Sequence, residues 1–191
     1  MSRFLAVLAP AALLLSACAS GPLPAQGDGA PPWASLTSPT AALKVVLDEV
    51  CLPAVMHGRP VAELAEARYM VSVPVRSTGS PMAVAAWRLG SWHDVYVMEL
   101  PNGGCSASLE AGDAAGLATA AIEMLKTHGT FAAGDSMPAR DGEAENTAWC
   151  TPEADRPVVV GVLRKIRGRG PALLVNVFRA QGARPPFCPR A

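Results

Sequence analysis

The chain has 191 residues and no formal net charge, and it is 50% hydrophobic but only 17% charged and 5% aromatic. An apolar-rich, charge-poor composition excludes an extended disordered protein, and the balance of 16 basic against 16 acidic residues argues against a dedicated nucleic-acid binder. The length suits one domain with a real core, and 17 Gly and 18 Pro demand many turns.

A cation at Arg3 precedes an apolar run from Phe4 to Leu15, the layout of a secretory signal peptide. The run is shorter than the roughly 20 residues of a spanning helix, and Pro10 interrupts it. It ends Leu15, Ser16, Ala17, Cys18. These residues resemble the lipobox of bacterial lipoproteins, a likeness confined to the signal peptide. The resemblance implies cleavage before Cys18, a diacylglyceryl group on its thiol and a further acyl chain such as palmitate on its new amino terminus. Two or three acyl chains anchor a protein almost permanently. Ala19, where Asp would retain the protein at the inner membrane, implies residence at the outer membrane, facing the periplasm. Ala17-Cys18-Ala19 also fits ordinary small-x-small cleavage, which would release a soluble periplasmic or secreted protein.

Residues 18–37 read as a lipidated Cys and a Pro/Gly-rich tether, able to hold the domain about 25 Å from a membrane. Residues 38–191 form the expected folded domain. Ser38 and Pro39 make an N-cap and first helical residue, and Leu43, Val46, Leu47 and Val50 follow at helical spacing up to Pro53. Gly58 and Pro60 open a shorter helix carrying Val61, Leu64 and Ala65. MVSVPV from Met70 alternates, but Pro74 limits it to an edge strand or extended loop. Strands are expected at 83–89, 94–100 and 104–110, the last two joined by Pro101-Asn102-Gly103.

Asp113 caps a helix with an apolar stripe of Leu117, Ala120, Ala121, Met124 and Leu125, closed by Gly129. Residues 132–146 are small and acidic and read as a loop. Pro157–Leu163 and Ala172–Phe178 read as a hairpin around Arg167–Pro171. The order gives an α+β fold, a mainly antiparallel sheet with helices packed on one face. No internal repeat is legible.

Apart from Cys18 there are four cysteines, Cys51, Cys105, Cys150 and Cys188, an even number that suggests two disulfides in an exported domain. Cys150 and Cys188 lie equally far from a hairpin centred on Arg169, which predicts that they pair; Cys51 and Cys105 pair by elimination. The spacings contain no CxxC, so neither a zinc site nor a redox pair is expected.

Chemistry is sparse. His57, His93 and His128 show no metal-ligand spacing, and Ser91-Trp92-His93-Asp94 cannot form a triad because neighbours on a strand face opposite ways. No GxSxG or phosphate-cradling loop is present, and no cofactor or metal is expected. Trp87, Trp92, Tyr96 and Trp149 read as core rather than a ligand cleft. Charge is segregated: residues 156–191 hold eight basic side chains and no acid, while 110–155 hold nine acids against Lys126 and Arg140.

The hairpin tip, with Arg164, Lys165, Arg167 and Arg169, could meet an anionic envelope component such as lipid headgroups or a cell-wall polymer. The simpler expectation pairs these cations with the acidic loop or leaves them solvated. Taken together, the residues suggest an envelope lipoprotein, anchored to membrane lipid through Cys18, with a non-enzymatic binding or structural role that engages an anionic component or an envelope protein. The alternatives are an inhibitor of a cell-wall enzyme and a hydrolase with a dispersed site. Beyond the signal, the domain resembles small proteobacterial lipoproteins in general layout, with no motif that carries a function across.

Overall fold

A computed structural model describes residues 32–190 apart from Ser91, His93, Pro138, Arg140, Asp141 and Ala154. Cys18, the expected signal segment and most of the expected tether lie outside the described residues. Helix α1, Pro39–Val46, starts as its sequence dictates: Ser38 is extended, and its hydroxyl accepts from the Ala41 amide at 3.2 Å. The helix does not stop at Pro53. Leu47–Cys51 widens into a π-helical segment and runs on into α2, Leu52–His57, which Gly58 ends in the left-handed conformation. A proline inside an α-helix collides with the carbonyl four residues earlier; the wider turn just before Pro53 relieves that collision. Helix α3, Val61–Ala67, follows as expected.

The strands are β1 Val71–Ser72, β2 Ala85–Arg88, β3 Val95–Glu99, β4 Cys105–Leu109, β5 Ala132–Ser136, β6 Ala144–Cys150, β7 Val158–Lys165 and β8 Leu173–Arg179. All join one antiparallel sheet in the order β1-β2-β3-β4-β8-β7-β6-β5. Helix α4, Ala114–His128, is capped by the Asp113 carboxylate and closed by left-handed Gly129. The fold is therefore α+β. Leu43, Val46 and Leu47 of the first helical run and Leu117, Ala121 and Leu125 of α4 pack on one sheet face, against Trp87, Val97, Ala107, Val162 and Val175.

The strand order reads the same from either edge: a helical layer and four strands, then a single helix and four strands. The halves meet where β4 pairs with β8, with Ala107 opposite Val175 and flanked by the Cys105–Val177 and Leu109–Leu173 pairs. Following the ladders outward, Val95 and Val97 of β3 occupy the positions that Val160 and Val162 hold in β7. Connections of unequal length, and a first half with three helices, hide this repeat from the sequence.

The stretch 132–146, expected as a loop, contains β5 and the start of β6. Ala132–Ser136 has none of the branched or aromatic residues that mark strands. It is an edge strand held by its backbone bonds to β6, and its register slips between Ala133 and Ser136.

Both disulfides form as paired in the sequence. Cys51, in the π segment, bridges to Cys105 at the centre of the sheet, with Cα atoms 5.1 Å apart and both residues fully buried. Cys150 bridges to Cys188 with a Cα separation of 5.7 Å. The β7–β8 register centres the hairpin between Gly168 and Arg169, beside the expected centre. The route differs, however. The chain turns back after β6, so Cys150 sits opposite Val159, and the tail folds over the sheet to reach it.

Two arginines of the basic terminal segment brace backbone. Arg179 donates to the Val55 and Met56 carbonyls at the end of α2, at 3.3 and 3.4 Å. Arg184 donates to the carbonyls of Pro189, Thr151 and Glu153. Among the described residues no helix is long and apolar enough to cross a membrane.

Candidate functional site

Side chains alternate across a strand. In β4, Cys105, Ala107 and Leu109 enter the core beneath the helices, so Ser106 and Ser108 face the other way. In β8 the same alternation sends Leu174, Asn176 and Phe178 to that second face. Toward β5 the face is covered. The tail, held by Cys150–Cys188, packs Ala180 and Phe187 with Val159 and Phe178 in a small separate core. The Asp135 amide donates to the Phe187 carbonyl at 2.8 Å, tying the tail to the edge strand.

Toward β1 the segment after a short helical turn, Val75–Thr78, stands over the sheet edge. Between this segment and β8 lies a cleft of about 580 Å³, within the range of small-molecule sites. Pro81, Met82, Met98, Leu100, Leu174 and Phe178 supply its apolar walls. Ser106, Ser108 and Asn176 make a polar floor directly over the junction of the two halves. No charged side chain lines it among the described residues.

The floor is ordered by hydrogen bonds. The Ser106 hydroxyl, 2% exposed, donates to Asn176 Oδ1 at 2.7 Å. The Ser108 hydroxyl donates to Glu110 Oε1 at 2.5 Å. Both serine protons are thereby committed and their lone pairs left to accept, while the Asn176 amide nitrogen has no protein partner among the described residues. The cleft thus presents donors and acceptors side by side on a floor of neutral side chains, with the Glu110 carboxylate engaged behind Ser108.

Ser106, Ser108 and Asn176 belong to no recognisable sequence motif. The signal was there: two hydroxyls alternating with small apolar residues in Cys-Ser-Ala-Ser-Leu put polar groups on one face of a central strand.

The tip cations are partly engaged. Arg164 forms an ion pair with Glu145, across the β6–β7 ladder. The Lys165 ammonium donates to the Gly170 carbonyl at 3.0 Å, the Arg167 guanidinium lies against Gly142 in the acidic loop, and Arg169 is exposed. His57 is exposed at the end of α2, and the His128 ring contacts the Thr130 hydroxyl and the edge of Phe131. His93 and Ser91 lie outside the described residues. No group of side chains suited to holding a metal ion occurs among the described residues. Trp87 and Trp149 are core, and Trp92 packs against its edge.

Among the described residues, two ionisable groups are displaced. A hydrogen bond from Thr151 and one from its own backbone, aided by Arg179 and Arg184, hold the Glu153 carboxyl below its ordinary value. The Asp48 carboxylate, by hydrogen bond and charge, raises Lys44.

Fold and cleft together define an α+β protein with a neutral, ligand-sized recess on the sheet face away from its helices. No family model, curated protein or solved structure matches the chain.

Proposed function

We propose that the chain is a lipid-anchored protein of the bacterial cell envelope, facing the periplasm, that acts by binding a ligand in the open-face cleft. The observation that carries the reading is the pair of disulfides. Both link buried cysteines, and such bridges persist in oxidising compartments. The lipobox-like end of the apolar run supports the anchor, and the Pro/Gly-rich composition of the stretch after Cys18 suits a tether. Recognition, rather than catalysis, suits a cleft of apolar walls whose hydroxyl protons are already committed to neighbouring acceptors.

Metabolic labelling with palmitate tests the anchor. Label is expected on the wild-type protein and absent from Cys18→Ala, which should leave the membrane fraction. Label that persists in Cys18→Ala overturns the anchor. The basic tip is a lesser contributor in this reading, because Arg164 is occupied by Glu145. Replacing Arg167 and Arg169 by Gln is expected to leave binding to anionic vesicles unchanged, and a clear loss would restore the tip as the binding surface.

A further inference from the structure

We infer that the open-face cleft takes a neutral amphiphile, a diffusible alkyl chain bearing an amide head. The inference rests on the reading that the cleft is where the domain binds, and is independent of the anchor. Three features select this chemistry.

The walls come first. Met82, Met98, Leu100, Leu174 and Phe178 offer an apolar surface whose two methionines adapt to a flexible chain. From Leu174 to Phe178 the floor strand advances about 13 Å, room for an extended alkyl segment.

Charge comes second. Among the described residues no cation lines the cleft, and the carboxylate behind its floor, Glu110, already accepts from Ser108, so a free acid or phosphate would lose its hydration and meet no cation, and a quaternary ammonium no unengaged carboxylate. A neutral head avoids that cost.

The floor comes third. The Asn176 amide nitrogen is a donor without a protein partner, and Ser106 and Ser108 keep lone pairs for a second bond. An amide head matches both at once. Its carbonyl accepts from Asn176, and its N–H donates to a serine oxygen. An ester satisfies one of the two, a hydrocarbon neither. Leaving such groups unmatched beneath a bound ligand penalises the wrong ligand more than the right one gains.

The test uses the full chain and the neutral fluorophore N-phenyl-1-naphthylamine, displaced by decanamide, decanoate or decyltrimethylammonium. Decanamide is expected to displace the probe at a concentration at least tenfold lower than either charged analogue. Asn176→Ala is expected to weaken decanamide about tenfold while the fluorophore still binds. Met82 is 62% exposed at the rim, so Met82→Glu leaves the core intact and is expected to abolish probe binding.

Equal displacement by the charged analogues overturns the inference, as does unchanged decanamide binding in Asn176→Ala or no probe binding at all. A capped apolar peptide that outcompetes decanamide would make the cleft a peptide groove instead. Binding that appears only in Cys18→Ala would assign the cleft to the chain's own acyl group and overturn a diffusible ligand. The palmitate experiment reads none of these outcomes, so failure of the anchor and failure of the ligand chemistry are distinguishable.

Discussion

The two halves share one scaffold and spend their disulfides on opposite faces. In the first half, Cys51–Cys105 sews the helix layer to β4, and its open face is left bare beneath the segment around Met82. In the second half, α4 packs on the sheet with no bridge, and Cys150–Cys188 folds the tail over the open face. The cleft lies at the boundary between covered and bare, where β4 meets β8. A repeated frame thus becomes asymmetric through where its chain ends are pinned.

The strongest way to break this contrast is to remove the bridges one at a time. Each closes a long loop, with sequence separations of 54 and 38, and loss of either is expected to cost about 4 kcal/mol by loop closure. Urea titration of Cys51→Ala/Cys105→Ala and Cys150→Ala/Cys188→Ala measures both. The location of the damage should differ. Hydrogen exchange at the Asp135 amide, bonded to the tail at Phe187, is expected to accelerate in the second variant and not in the first. Equal protection in both would mean that the bridge does not hold the tail.

Somewhat smaller effects test whether the halves are one cooperative unit. Leu43 in α1 and Leu125 in α4 are both fully buried in the same core. Leu43→Ala and Leu125→Ala are each expected to cost roughly 3 kcal/mol and to shift a single thermal transition. Two resolved transitions, each moved by only one variant, would show halves that melt separately.

Arg179 crosses from β8 to α2, and Arg179→Ala should cost roughly 2 kcal/mol by stranding two helix-end carbonyls. Calorimetry that shows no shift would remove this brace. The helix caps give a matched pair at the small end. Ser38→Ala and Asp113→Ala should each lose about 1 kcal/mol in urea titrations.

The acid limb gives the smallest signal. Glu153 is held below its ordinary value of 4.5, so its contribution is present above that value and is lost as pH falls through the lower folded value. Stability profiles should decline less on acidification in Glu153→Gln than in the wild type. Identical profiles would show that Thr151 and the two arginines do not favour the charged form.

Much of the frame was legible because local rules decide it. Ser38-Pro39, Asp113 and Gly129 mark helix ends by chemistry that acts over three residues, and Asn102-Gly103 marks a turn in the same way. The strand at 132–136 was hidden because its pairing energy resides in backbone bonds to β6 and not in its side chains. Pro53 misled for a related reason: its penalty is real, but a π turn disposes of it. The candidate site was the least legible part. Ser106 and Asn176 are 70 residues apart and meet only because β4 and β8 are neighbours in the final sheet, a long-range pairing that no local signal encodes.

Methionine placement offers the most direct test of the open-face cleft as the binding site. Met82 and Met98 line it, while Met56, Met70 and Met124 belong to the core beneath the helices. With methyl-labelled methionine and added decanamide, NMR shifts are expected at Met82 and Met98 while Met56, Met70 and Met124 stay in place. Shifts concentrated on the helix-side methionines, or none at saturating amide, would contradict it.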